Sequence, residues 1–209
     1  MLVAMIADEA LFEAWRGGDA RAGAELFERH YPAIARFFRN KADVDAPDLI
    51  QKTFLGCIES KERVRGDSSF RTYLFAVAHN VLYKHFLTRA RSGARIDFGV
   101  TSVHDLRPTA TALLARRGEE RALLAALRRI PLEHQIVLEL YFWEHLTAGE
   151  MGEIQGVPEG TLRTRLRRAK QLLEAALGQV ASSPAEMQDT LSDLDSWARS
   201  VRAQLDSRP

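Results

Sequence analysis

Apolar residues in this chain recur at spacings of three and four, and strict alternation bounded by turn residues is nearly absent, so the pattern predicts helices almost throughout. Asp19 reads as an N-cap, followed by Ala22, Leu26, Phe27, Ile34, Phe37 and Phe38 at helical spacing. Asp45 and Asp48 form a pair like a capping box, with Pro47 in the first turn and Leu49, Ile50, Thr53, Phe54 and Cys57 behind it. Gly66-Asp67-Ser68-Ser69 is a break, and a long helix is predicted from about Ser69 to Arg89, with Phe70, Leu74, Val77 and Val81 on one face. Between Ser92 and about Arg117 the periodicity dissolves among Gly93, Gly99, Pro108 and several Ser and Thr, which predicts a flexible linker. Periodicity returns with Leu123, Leu127 and Ile130, then with Ile136, Val137, Leu140 and Tyr141 after Pro131. The fold class is therefore all-α, two helical domains joined by a linker.

The stretch from Leu146 to Leu173 carries the sharpest local signal. Thr147 and Glu150 form a capping box that starts one helix, and Gly156 ends it. A second helix runs from about Glu159 to Leu177, with Leu162, Leu166, Ala169 and Leu173 on its apolar stripe. Gly152 supplies the small residue where two sharply crossing helices touch, and Gly156 tolerates left-handed geometry in the turn. This is the layout of a helix-turn-helix, whose second helix enters the DNA major groove. Thr161, Arg163, Thr164, Arg165, Arg167, Arg168 and Lys170 lie on or beside its polar face, with five cations and no acid between Arg163 and Lys170. Arginine binds guanine bidentately or clamps phosphate, and threonine suits either role.

Global composition adds little to that picture. Net charge is +1 over 209 residues, so the case for nucleic acid rests on local clustering. The single cysteine, Cys57, excludes a disulfide framework and a cysteine metal site, and reads as a small apolar filler. The six histidines are scattered, and no phosphate-binding glycine loop, HExxH or nucleophile elbow occurs. No catalytic residue, metal ligand or cofactor is expected. Met1 to Ala14 lacks a basic leading segment, and no apolar run approaches the roughly 20 residues that span a bilayer, so a cytoplasmic protein without a membrane partner is expected.

Two upstream segments define the class. DAPDLIQKTFL, from Asp45, resembles the segment of extracytoplasmic-function (ECF) sigma factors that grips the clamp helices of bacterial RNA polymerase; the matching positions are Asp48, Leu49, Gln51, Thr53 and Phe54. SFRTYLFAVAHNVL, from Ser69, resembles the family helix that melts and reads the minus-10 element, and the helix-turn-helix block resembles the fourth region, which reads the minus-35 element. The resemblance implies core RNA polymerase and promoter DNA as partners, allows an anti-sigma factor as a third, and implies no catalysis by the chain itself. It places Phe70, Arg71, Tyr73, Asn80, Lys84, Arg89 and Arg91 on the minus-10 DNA, where aromatic faces and cations can hold a displaced strand. Core packing competes with DNA contact for Phe70 and Tyr73, and helix capping competes with polymerase contact for Asp48. The sequence departs from the family at Lys52 (often Glu), Tyr73 (usually Trp), His79 (Arg) and Lys84 (often Asp).

The expected organisation is a region-two-like domain over 1–91, a linker over 92–118, a region-four-like domain over 119–180 and a C-terminal extension over 181–209. In the extension Met187, Leu191, Leu194, Ala198, Val201 and Leu205 form one stripe, opposite Asp189, Asp193 and Asp195. A lone helix of about twenty residues is marginal in water, so the stripe needs a partner surface. Docking within the chain, as a strap or as a mask over the basic recognition helix, is one solution. Two rival functions are a conventional helix-turn-helix regulator, which needs no polymerase contact, and a sigma-like antagonist without DNA binding. The Asp45 to Phe54 segment argues against the first, and the Arg163 to Lys170 face against the second.

Overall fold

A computed structural model of the chain describes residues 6–63, 68–89, 96–106 and 118–180. Arg91 and the whole extension over 181–209 lie outside them. Helices α1 (Asp8–Arg16), α2 (Ala20–Ala42), α3 (Ala46–Ser60) and α4 (Phe70–Arg89) form the N-terminal half. The short α5 (Val103–Leu106) follows, then α6 (Gly118–Arg129), α7 (Leu132–Phe142), α8 (Ala148–Gln155) and α9 (Glu159–Val180). Among the described residues the β structure is one isolated bridge, Ser102 to Pro131.

Local chemistry starts these helices much as the sequence predicts. Asp19 caps α2 by accepting from the backbone N–H of Arg21 (2.8 Å) and Ala22 (3.3 Å). The predicted cap of α3 does not form. A 3-10 turn over Asp43–Asp45 runs straight into α3, so Asp45 has helical rather than extended backbone and its side chain makes no cap bond. Its carboxylate instead accepts from Arg89 at the end of α4 (2.8 Å), and Asp48 pairs with Lys52 (2.6 Å). An isolated helix needs a cap more than one whose preceding turn already continues its hydrogen bonds.

The N-terminal core is aromatic. Phe12, Trp15, Phe27, Phe54, Phe70 and Tyr73 have ring neighbours 4.8–6.5 Å apart, with α1 closing the cluster from one side. Such contacts add to the gain from simple burial.

Part of the expected flexible linker is folded. Phe98 is buried against Tyr83 (4.2 Å between ring centroids) and Phe86 (6.4 Å) on α4. The carbonyls of Thr101 and Phe98 accept from the N–H groups of Leu132 (3.0 Å) and Glu133 (3.2 Å), satisfying donors that open α7. Three anchors at irregular spacing, Ile96, Phe98 and Val103, leave no periodic trace in sequence, which is why the segment reads as unstructured.

The two halves share one core. Phe75 and Ala78 of α4 belong to the same buried cluster as Leu132, Ile136, Val137 and Leu140 of α7 and Met151 and Ile154 of α8. Charged groups cross the same boundary. Glu144 accepts from Arg36 (2.6 Å) and from Arg71 (2.7 Å), Lys41 pairs with Glu139, and Arg128 donates to the Asn40 carbonyl (2.7 Å). Lys41 and Glu139 are both fully enclosed. Burial draws the Lys41 ammonium down and pushes the Glu139 carboxyl up, and each charge offsets part of the other's shift.

His79 lies at this boundary too, buried against Tyr83 (4.1 Å). Burial drives its pKa down to about 4; the Asn80 side chain opposes the shift and the Arg165 charge adds to it. The folded chain therefore holds His79 neutral where the unfolded chain, at about 6.5, binds a proton. Stability from this group is complete above pH 6.5 and is lost as pH falls from 6.5 toward 4. Lowering pH from 7 to 5 should cost roughly 2 kcal/mol at this group. Between pH 7 and 5 wild type should lose that stability relative to His79→Phe, whatever their order at pH 7; parallel pH profiles would contradict it.

Candidate nucleic-acid and polymerase interfaces

The helix-turn-helix is built from backbone constraints. Thr147 and Glu150 complete the capping box, with Oγ1 of Thr147 accepting from the Glu150 N–H (3.3 Å) and Glu150 accepting from the Thr147 N–H (2.7 Å). Gly156 turns the chain at φ 67°. A Cβ on Gly152 would sit 2.7 Å from the Val157 carbonyl oxygen, so α8 and the turn into α9 approach where no other residue fits. Leu162, Ala169 and Leu173 are buried, and the opposite face of α9 points outward.

On that face Thr161, Arg163, Thr164, Arg167 and Arg168 are exposed. Arg163 is held by Glu159 one turn earlier (2.5 Å), which aims the guanidinium without burying it. Two residues assigned to DNA from sequence are otherwise engaged. Arg165 is only 18% exposed, pairs with Glu133 (2.7 Å) and bonds Gln155, so it ties α9 to α7 and α8. The Lys170 ammonium sits over the rings of Tyr141 (4.9 Å) and Phe142 (5.1 Å).

Helix α3 carries two distinct stripes. Leu49, Ile50, Thr53 and Cys57 face the core, with Thr53 bonding back to the Leu49 carbonyl (2.8 Å). Cys57 is enclosed, and burial pushes its thiol up to about 12, which makes it inert filler. The outward stripe is Asp48, Gln51, Lys52, Leu55 and Ile58, with Leu55 and Ile58 each about half exposed. Leu49 and Thr53, expected on the polymerase, thus lie behind the surface, and Phe54 is half-buried against Phe27 (4.8 Å) and Tyr31 (6.3 Å). Leu55 and Ile58 are exposed apolar residues outside the set that the resemblance implies. The signal for them is an apolar pair three residues apart, Leu55 and Ile58, off the phase of the core stripe.

Helix α4 divides its predicted residues. Phe70 is buried in the aromatic cluster, and the Tyr73 hydroxyl is tied to Ser60 (2.8 Å) and the Cys57 carbonyl (2.9 Å), so both pack rather than project. Arg71 is held by Glu144. Asn80, Lys84 and Arg89 are exposed, and Lys84 and Arg89 border a groove of about 600 Å³ between α3 and α4 whose other wall carries Asp45 and Asp48. Among the described residues no group of His, Cys, Asp and Glu could hold a metal ion, and no helix is long and apolar enough to cross a membrane.

The Sigma-70 region 2 family matches residues 26–92 and the Sigma-70, region 4 family matches residues 120–173. The chain is 30% identical over 177 residues to the RNA polymerase sigma factor CarQ of Myxococcus xanthus, covering 80% of this chain and 96% of that one. It is 28% identical over 181 residues to the ECF RNA polymerase sigma-E factor of Haemophilus influenzae, covering 81% and 94%. Its fold is similar to that of CnrH in complex with the cytosolic domain of CnrY, with a TM-score of 0.56 at 24% identity over 85% of this chain and 100% of that one. It is also similar to the sigma factor RpoE in complex with the anti-sigma factor NepR from Bartonella quintana, with a TM-score of 0.54 at 19% identity over 70% and 91%. The chain belongs to the ECF sigma factors of RNA polymerase. It is an alternative sigma factor, a transcription initiation factor that binds core RNA polymerase and directs it to specific promoters.

Proposed function

We propose that the outward stripe of α3, chiefly Asp48, Gln51, Lys52, Leu55 and Ile58, grips core polymerase. Asn80, Lys84, Arg89 and Arg91, joined by Arg71 once it is released, hold the minus-10 strand, and Thr161, Arg163, Thr164, Arg167 and Arg168 read the minus-35 element. Leu49, Thr53, Phe54, Phe70, Tyr73, Arg165 and Lys170 act behind these surfaces by fixing the helices that carry them. The domain bounds proposed are 1–91, 92–118 and 119–180, with the extension over 181–209 docking within the chain or on a partner. The observation that carries the reading is the double stripe of α3. Its inner face is sealed in the core, while its outer face sets two half-exposed apolar side chains among polar ones, as protein interfaces do.

The chain performs no catalysis in this reading; polymerase does the chemistry. It acts in the cytoplasm, where polymerase works. An anti-sigma factor is a third partner, supported by two structural relatives, one solved with an anti-sigma factor and one with a cytosolic partner domain. The grip is tested with Gln51→Ala/Leu55→Ala. Exposed positions leave folding stability within about 0.5 kcal/mol of wild type, while polymerase affinity should fall about ten- to thirtyfold. Unchanged affinity in a folded variant would place the grip elsewhere.

A further inference from the structure

Two of the positions at which this chain departs from its family, Lys52 and Lys84, stand on different helices and far apart in sequence. The fold brings them to one place. Both border the groove of about 600 Å³ between α3 and α4, Lys52 on one wall and Lys84 on the other. Each puts a positive charge where the family often carries a negative one. The two departures therefore act on a single electrostatic surface.

The other charges of the groove are matched. Asp45 accepts from Arg89 (2.8 Å) and Asp48 from Lys52 (2.6 Å). Lys84 is exposed and has no ion-pair partner among the described residues. The Lys52–Asp48 pair joins neighbours one turn apart, with both side chains more than half exposed. Such a pair holds little energy, so Lys52 is free to turn to a partner. The groove thus offers two ammonium groups beside an apolar lining of Leu49 and Val81.

That combination selects a protein segment over a nucleic acid. A phosphate backbone carries charge at every unit and would meet Asp45 and Asp48 as well as the lysines. A helix can place carboxylates at the two lysines and apolar side chains against Val81, and leave Asp45 with Arg89. The combination also selects a dedicated partner. Core polymerase serves every sigma factor of a cell, so its surface cannot follow a charge reversal in one of them. A partner of this chain alone can follow it. The reversal then attracts an acidic segment and repels a basic one that would suit an acidic groove.

We propose that the α3–α4 groove receives an acidic helix of a protein partner dedicated to this chain, an antagonist whose carboxylates meet Lys52 and Lys84 and which excludes polymerase from α3. The exclusion rests on the assignment of the outer stripe of α3 to polymerase; the acid-binding groove does not.

The test uses the full chain and a labelled helical peptide of about twenty residues, glutamates on one face and leucines on the other. The peptide should bind wild type, and carbodiimide coupling should join its carboxylates to the Lys52 and Lys84 amines, as mapped by mass spectrometry. Lys52→Glu/Lys84→Asp should weaken binding at least about tenfold, because two attractions become two repulsions. Lys52→Gln/Lys84→Gln only removes charge and should fall between; it carries the test should the reversed variant lose helicity. Equal binding by the folded variants and wild type, or coupling only at other lysines, overturns the proposal. Variants that keep the peptide but lose a single-stranded oligonucleotide give the groove to DNA and overturn it too. Core polymerase added to the wild-type complex should displace the peptide. A peptide that stays in the groove beside bound polymerase overturns the antagonist and the α3 grip beneath it, whereas a peptide that never enters the groove overturns this proposal and leaves the grip standing.

Discussion

Gly152→Ala is expected to abolish recognition of the upstream promoter element. The added Cβ would lie 2.7 Å from the Val157 carbonyl oxygen, a backbone atom that cannot rotate away. Val157 is fixed in turn, since its N–H donates to the Gly152 carbonyl (3.0 Å). Relief therefore requires α8 and α9 to part, and that breaks the turn made by Gly156. Overpacking of a rigid contact costs about 3 kcal/mol, the upper end of its usual range. A thermal melt should show this loss, and transcription from promoters that depend on the minus-35 element should fall with it. Wild-type melting together with wild-type promoter choice would contradict the geometry.

The second large effect is at Phe70. Sequence allows it to be either a core residue or a DNA-melting residue, and the two roles predict different measurements. Its ring lies 5.3 Å from Phe12, 6.0 Å from Trp15, 6.2 Å from Phe27 and 5.3 Å from His30, and it is nearly sealed from solvent. Phe70→Ala leaves a cavity at the junction of α1, α2 and α4, and should cost 3–5 kcal/mol, as about that range is found for buried aromatics. Melting temperature should drop by about 10 °C. A variant that melts normally yet fails to open promoters would instead return Phe70 to the DNA.

What could be read from sequence was mostly local. The capping box at Thr147 and Glu150, the left-handed turn at Gly156 and the close approach at Gly152 each depend on residues within ten positions, and all are present as expected. The long helix to Arg89 and the cap at Asp19 are of the same kind. The misses have distant partners. Asp45 is drawn from its capping role by Arg89, 44 positions away. Phe98 is ordered by Tyr83 and Phe86, and the segment around it has no periodicity of its own. Helix α1 was not singled out, although Leu11, Phe12 and Trp15 complete the aromatic core. Arg165 looks like its neighbours on a helical wheel, and its ion pair with Glu133, 32 positions earlier in the chain, has no counterpart in the spacing. The joining of the two halves through Arg36, Arg71 and Glu144 spans up to 108 positions and leaves no trace in sequence spacing.

The central claim is that this chain programmes polymerase rather than binding promoters by itself. Run-off transcription by core polymerase on a pool of genomic upstream fragments, with and without the full chain, tests it most directly. The account predicts initiation at a defined set of start sites only when both are present, with weak, unselective binding of the chain alone to the same fragments. Tight, specific duplex binding by the free chain, with no association with core polymerase and no new start sites, would contradict it.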